Sequence, residues 1–293
     1  MDDKLFREQY GVYLESIETY LDRLFTSDVP WQKLNESMRY SVLSGGKRIR
    51  PVLTLEVARL GGIRDWHSAL PFACALELVH TYSLIHDDLP SMDDDELRRG
   101  KPTNHVVYGV TMATLAGDAL QPEAYRLIAE APKLSAKAKV EAVQSLAWAS
   151  GANGMVAGQV LDLTDYGRDR ATLEYLCDRK TGFMLKCAAE LGCAAARAPM
   201  EICEATQTYA AHLGLAFQIQ DDLLDVIGDE ATFGKPIGSD KEEGKTTYVD
   251  LLGVDGCRVE VRRLTDEAIA ALGGIADTDF LITLAQNLAK RDK

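Results

Sequence analysis

Positive charge is short in this 293-residue chain: 32 lysines and arginines face 45 aspartates and glutamates, leaving a net charge of −13. That balance argues against nucleic acid and anionic membranes as partners, so an anionic substrate has to arrive with metal or meet a local basic patch. Paired cysteine spacing is also missing. Cys74, Cys177, Cys187, Cys193, Cys203 and Cys257 are scattered on apparently helical segments without CxxC, which fits reduced core thiols rather than a zinc site. No apolar run reaches membrane-spanning length, and the opening Met1-Asp2-Asp3-Lys4 lacks the basic-then-apolar layout of a secretory leader, so a cytoplasmic protein is the default expectation. Several alternating strand patterns in succession are found nowhere, which leaves an all-α fold. A carboxylate-bridged di-iron bundle needs two Glu-x-x-His pairs on different helices. Glu77-x-x-His80 is one, and none of the other four histidines has a glutamate three residues before it.

What is present is acid in unusual places. Residues 80–103 gather Asp87, Asp88, Asp93, Asp94 and Asp95 beside Arg98, Arg99 and Lys101, directly after an apolar segment suited to a buried helix. Pro90 disfavours helical dihedrals at Leu89, so the helix should stop there and the chain should turn, returning the later aspartates to the first pair. Anions at a helix C-terminus oppose its dipole by roughly 0.3–1 kcal/mol each and repel one another. Something cationic should compensate, and clustered oxygen ligands without cysteine suit Mg²⁺. A solvated acidic loop is the plainer alternative.

A second acidic set, Gln218-Ile219-Gln220-Asp221-Asp222-Leu223-Leu224-Asp225, interrupts another apolar run. On a helix Asp221 and Asp225 share a face, which a solvated surface explains poorly. Two such sites facing each other across a bundle cavity could grip one diphosphate through metal. Gly45-Gly46-Lys47-Arg48-Ile49-Arg50-Pro51 offers backbone N–H groups and guanidinium forks to an anion, or else is a solvated basic loop. Lys180-Thr181-Gly182 puts a cation, a hydroxyl and a helix-weakening glycine on an apolar element, as a bend at a ligand would; a lysine snorkelling to water is the alternative. His80 is either a pocket hydrogen-bond donor or a core histidine.

Around these motifs the apolar spacing predicts helices over about 5–25, 31–44, 51–60, 66–88, 105–130, 135–162, 171–196 and 200–228. The 105–130 helix should be interrupted at Gly117-Asp118 and Pro122, while Gly151, Gly154 and Gly158 should let another helix come close. Residues 229–247 are glycine- and charge-rich, as in a flap, and carry Lys235 and Lys245. Three modest helices should follow, divided near Gly253–Gly256 and Gly273-Gly274. With 46% hydrophobic residues the chain can bury a large core, and no linker divides it. The expectation is a large single-domain helical bundle around a central cavity, spanning residues 1–293.

The motifs GGKRIRP (45–51), LIHDDLPSMDDDELRRGKPTNH (84–105), AGDAL (116–120), KTG (180–182), QIQDDLLD (218–225) and GKPIGSDKEEGKTTY (234–248) closely resemble those of the trans isoprenyl diphosphate synthases, most specifically the bacterial farnesyl diphosphate synthases. They occur in the family's order over nearly the whole chain. The resemblance implies the isoprenoid synthase fold and a homodimer. It implies three Mg²⁺ ions per site, held by Asp87, Asp93 and Asp88 and by Asp221, Asp222 and Asp225. It further implies that isopentenyl diphosphate binds at Gly46, Lys47, Arg50, His80 and Arg99, and the allylic diphosphate at Arg98, Lys180, Thr181, Gln218, Lys235 and Lys245. Lys180, Thr181 and Gln218 would also stabilise the allylic cation. Terpene cyclases share the fold but differ at the second aspartate motif, and non-catalytic subunits of heteromeric synthases lose one or both motifs; this chain retains both.

Product length in such an enzyme depends on what blocks the growing chain beyond the first aspartates. Tyr82, five residues before Asp87, lies roughly 7.5 Å down a helix, and with Ser83 it marks the expected floor. By resemblance an aromatic there accompanies fifteen-carbon products. Geranyl or geranylgeranyl diphosphate is the alternative product, and a silent regulatory subunit the alternative class.

Overall fold

The computed structural model describes residues 1–164, 166, 169–227 and 246–291. Helices α1 (Asp3–Asp22), α2 (Gln32–Val42) and α3 (Ile49–Leu60) lead through a 3₁₀ turn, Trp66–Ala69, into α4 (Leu70–Asp87). There follow a hairpin of two short strands, β1 (Leu97–Arg98) and β2 (Lys101–Pro102), and then α5 (Asn104–Tyr108), α6 (Val110–Glu130), α7 (Ala136–Ser150), α8 (Met155–Leu163) and α9 (Arg170–Cys177). A π-helical turn, Asp178–Gly182, joins α9 to α10 (Phe183–Ala196); α11 (Met200–Ile227), α12 (Tyr248–Ala271) and α13 (Asp279–Ala289) complete the described chain. That antiparallel hairpin, Leu97 opposite Pro102, is the only sheet among the described residues. The fold is an all-α bundle.

α4 is the central element, packed by α1, α2, α3, α6 and α10. Its apolar sequence is buried on nearly every side, from Leu70 through Val79 without a break, as a helix hydrophobic all round must be. By length and composition Trp66–Asp87 could cross a membrane, but 78% of its apolar window is covered by the rest of the bundle. The main core surrounds it, with Tyr13, Phe72, Leu76, Tyr209 and Phe280 among the filled positions. A second cluster, including Leu176, Ile219, Tyr248 and Val261, fastens α9 and α12 to α11. All six cysteines are unpaired, and five are buried.

Glycines decide where helices end, though not always at the positions the spacing suggests. The expected 135–162 helix is two helices. Gly151 and Gly154 break it, and a Cβ on Gly154 would stand 2.0 Å from the Ala149 carbonyl. The 105–130 helix divides at Gly109, where φ is +86°, and continues through Gly117 and Pro122. Gly117 serves packing instead: a Cβ there would lie 2.1 Å from His86 Nε2, so its absence lets α6 close on α4. α12 kinks at Gly253 with φ +68°, near its expected division. The expected flap, 229–247, lies outside the described residues except for its last two positions.

Gly192 sets the spacing of α10 on α3, because a Cβ there would stand 2.6 Å from the Thr54 carbonyl and 2.8 Å from Val57 Cβ. Gly192→Ala should therefore lower the melting temperature, at a cost of about 1–3 kcal/mol from overpacking. An unchanged melt would show that the two helices are free to separate.

Candidate active site

The first aspartates sit where the core helix runs out. α4 stops at Asp87 with Asp88 as its C-terminal cap, and the chain then doubles back: the Asp93 amide donates to the Asp87 carbonyl at 2.9 Å, and the Asp94 amide to that of Leu89 at 3.2 Å. The turn expected from Pro90 thus returns Asp93 to Asp87. Arg98, on β1, closes it, its Nε donating to Asp88 Oδ1 at 2.7 Å while its NH2 lies 3.4 Å from Asp95. Burial pushes Asp87 up to about 6 despite the pull of Lys180, with Asp93 and Asp88 adding repulsion.

The basic loop is assembled on an internal ion pair. Arg48, in the left-handed region at φ +50°, donates to Glu18 at 2.7 Å, to Glu77 of α4 at 2.7 Å and to the Val42 carbonyl at 2.6 Å. Gly45 and Gly46 also have positive φ, and a Cβ on Gly46 would stand 2.7 Å from the Arg99 guanidinium. The missing side chain lets Arg99 lie on the loop, where it donates to the Gly45 carbonyl and, at 3.3 Å, to Ser44. Arg50 NH1 is 3.3 Å from His80 Nε2. A guanidinium can only donate, so that nitrogen accepts and the ring proton sits on Nδ1. Burial, then Arg50, holds His80 well below the usual imidazole range; it is neutral, accepting from Arg50 at Nε2 and keeping a proton to donate at Nδ1. Arg50 Nε is buried without a partner.

Lys180 and Thr181 lie in the π turn, an extra-residue bulge that the weak Gly182 accommodates. Lys180 Nζ donates to Asp162 at 2.6 Å, and α8 packs so tightly on this turn that a Cβ on Gly158 would stand 2.3 Å from the Lys180 nitrogen. Gly158 therefore makes the close approach expected of it. Thr181 donates to Gln218 at 3.2 Å, Gln218 to Asp222 Oδ1 at 3.0 Å, and the Tyr248 amide to Asp222 Oδ2 at 2.8 Å. Asp222 thus ties α11 to α12. Asp225 is buried one turn on, and Asp221 is paired with Arg291.

Part of this set meets in one cleft, and Asp87, Asp88 and Asp93 are not among its lining residues. A cleft of about 580 Å³ is lined by Gly46, Lys47, Arg50, His80, Arg98, Arg99, Thr181, Gln218, Asp221 and Arg291. Arg98, which grips Asp88, shares this cleft with Asp221. Lys180, the leading charge on Asp87, lines an adjoining hollow with Gln218 and Asp222. Tyr82 is buried on α4, its ring edge-on to His86 at 5.8 Å, and Ser83 donates to the His80 carbonyl at 2.9 Å. Lys235 and Lys245 lie outside the described residues. Two contributors had not been expected at the site, Asp162 and Arg291, and Arg48, expected only as part of the basic loop, proves to be its internal anchor. Asp162 carried a faint signal, an acid in an apolar helix like Asp221. Arg291, in a charged segment after the last helix, carried none.

The family model described as polyprenyl synthetase matches residues 31–273. The chain belongs to this family. It is 46% identical over 248 residues to the farnesyl diphosphate synthase of Geobacillus stearothermophilus, covering 83% of each chain. It is 42% identical over 266 residues to geranylgeranyl pyrophosphate synthase 7 of Arabidopsis thaliana, covering 88% of this chain and 76% of that one. The crystal structure of an FPP/GFPP synthase from Zymomonas mobilis superposes with a TM-score of 0.85 at 37% identity, covering 95% and 98% of the two chains. The chain is accordingly a trans-prenyltransferase, a short-chain isoprenyl diphosphate synthase allied to the bacterial farnesyl enzymes.

The donor set of this synthase fits the magnesium that its family implies. Asp87 is a carboxylate raised by burial and by the neighbouring Asp93 and Asp88, a strain that a divalent cation would relieve. Among the described residues no three acidic, histidine or cysteine side chains converge to cage an ion unaided. Magnesium suits this, since it keeps several waters and binds through one or two carboxylates completed by substrate phosphate.

Because the Asp87 carboxyl is raised from 3.8 to about 6, folding holds its proton more tightly than the unfolded chain does. Its burial costs nothing below about pH 4, and the penalty grows as pH rises through 6. In metal-free protein Asp87→Asn should therefore raise stability at pH 7 by about 1–3 kcal/mol, a gain that fades on acidification to pH 4. Denaturant melts at the two pH values measure it. Equal destabilisation at both would show that the carboxylate is not a strained charge.

Proposed function

We propose that this synthase condenses isopentenyl diphosphate with dimethylallyl and then geranyl diphosphate to give farnesyl diphosphate. The observation that supports the reading is one cleft lined by Asp221 of the second aspartate set, by Arg98, which grips Asp88 of the first, and by the basic loop. Gly46, Lys47, Arg50, His80 and Arg99 form the more basic end and hold isopentenyl diphosphate without metal. Arg98, Lys180, Thr181 and Gln218, with Lys235 and Lys245, hold the allylic diphosphate. Mg²⁺, three ions bound through Asp87, Asp88 and Asp93 and through Asp221, Asp222 and Asp225, supplies neutralising charge for the departing pyrophosphate.

Within that frame the chain's own groups orient and shield the reaction. Arg98 and Lys180 face the charge that develops on the leaving group, and the Thr181 hydroxyl and Gln218 amide turn dipoles toward the allylic carbocation. The apolar walls exclude the water that would quench it. The isopentenyl double bond attacks this cation, and the released pyrophosphate takes the final proton; neutral His80, engaged with Arg50, is not placed to do so. Asp87→Ala and Asp221→Ala should each lower turnover by about two orders of magnitude or more in a folded protein, measured as pyrophosphate release. Near-normal rates in a folded Asp87 variant would refute the metal assignment.

Chain length is set at α4. At about 100° per residue Ser83 falls almost below Asp87, and Tyr82 lies about 140° round, against α6 and beside His86. Tyr82 therefore acts as a side wall whose bulk closes the floor under Ser83. Tyr82→Ala should lengthen the product beyond fifteen carbons, read by chromatography of the dephosphorylated prenyl alcohols; an unaltered product would remove Tyr82 from the floor.

The working unit is a cytoplasmic homodimer, made without nucleic acid or membrane. Its support is the line of large apolar side chains left exposed on α5 to α8, Val107, Val110, Leu115, Trp148 and Val156 among them, a face that a second copy would cover.

A further inference from the structure

We infer that Arg291 is a stand-in cation for the metal at Asp221, a positioning residue that must leave the carboxylate before the second aspartate site can fill. The inference rests on the reading of Asp221 as a magnesium ligand. Arg291 lies just past α13, yet it is seated as firmly as a core residue. Its carbonyl accepts from Gln220 Nε2 at 3.0 Å, its guanidinium lies 4.1 Å over the Phe217 ring, and its NH2 donates to the Phe217 carbonyl at 3.2 Å and to Asp221 Oδ1. All three partners fall within about one turn of α11. The Arg291 side chain is only 9% exposed, and its Nε is buried with no partner.

One carboxylate cannot serve two cations at full strength. A charge-assisted hydrogen bond from a guanidinium occupies the oxygen that would enter a metal's inner shell, and the two positive charges repel at that separation. Lys47 and Arg50 also act on Asp221 from the loop side, so some cationic charge already stands at the carboxylate without metal. Burial still raises Asp221 against the pull of Arg291 and then of Lys47 and Arg50, so these cations supply only part of the charge a metal would bring, and Arg291 opposes metal entry until a diphosphate brings enough negative charge to share. Release breaks the contacts with Asp221, the Phe217 carbonyl and the ring beneath the guanidinium, and because Arg291 stands beyond the last helical turn it leaves α13 docked.

The test is Mn²⁺ binding followed by electron paramagnetic resonance of the free ion, on full-length protein, with Mn²⁺ alone and with inorganic pyrophosphate. Arg291→Gln should tighten one Mn²⁺ site by about tenfold in the absence of pyrophosphate and by less in its presence. The gain should vanish when Asp221→Asn is added. Arg291→Lys, which keeps the charge, should bind like wild type and guards against a folding defect in the glutamine variant. Unchanged or weaker Mn²⁺ binding in folded Arg291→Gln overturns the inference, as does a gain that persists without Asp221. If wild type makes product while Arg291→Gln binds Mn²⁺ no better, the synthase reading stands and the stand-in falls; a wild type that makes no product refutes the synthase reading itself.

Discussion

The ion pair between Arg48 and Glu77 joins the glycine loop to the central helix, and the geometry of the cavity depends on it. Both side chains are almost fully buried, 2.7 Å apart. A buried pair of this kind adds little net stability over an apolar substitute, while removal of one partner is severe. Its value here is placement. Arg48 turns inward to Glu77, Glu18 and the Val42 carbonyl, and because it does so in a left-handed conformation, its neighbours Lys47 and Arg50 are carried to the cleft side. The residue of the basic motif whose guanidinium is spent on internal partners is the one that aims the others.

The same division of labour recurs in the acidic motifs. Asp88 holds Arg98, and Asp222 holds Gln218 and the start of α12, so the second aspartate of each pair fixes a neighbour, while Asp221 lines the cleft. Adjacent residues on a helix point about 100° apart, and a doubled aspartate is thus a way to build an anchor and a ligand from one turn. The anchor also tempers the repulsion that would otherwise melt the end of α4, since Arg98 neutralises Asp88 next to the strained Asp87.

Periodicity made the helical class legible, and the aspartate, glycine and lysine motifs made most of the site legible, because each carries its chemistry within a few consecutive residues. Helix boundaries were less so. Gly109 ends a helix while Gly117 sits inside one, and the difference lies in what each faces: open space at Gly109, His86 at Gly117. No local pattern reports that. Asp162 and Arg291 escaped for a related reason, since their importance comes from partners 18 and 70 residues away. The acceptor role of His80 likewise follows only from Arg50 lying beside it.

Where the remaining unsatisfied groups sit tells what the fold is waiting for. Buried polar atoms normally find partners, and an orphaned one costs roughly 1–3 kcal/mol. Here Arg50 Nε, Arg291 Nε, Arg179 Nε, the Tyr248 hydroxyl and both amide atoms of Gln159 lack partners among the described residues. Arg50 and Arg291 line the cleft, and Gln159 lies one turn before the aspartate that holds Lys180. A protein evolving for stability alone would fill or replace such groups. The two that do line the cleft, Arg50 and Arg291, are also the arginines drawn in around Asp221, so the unmet donors there are positioned for an anion.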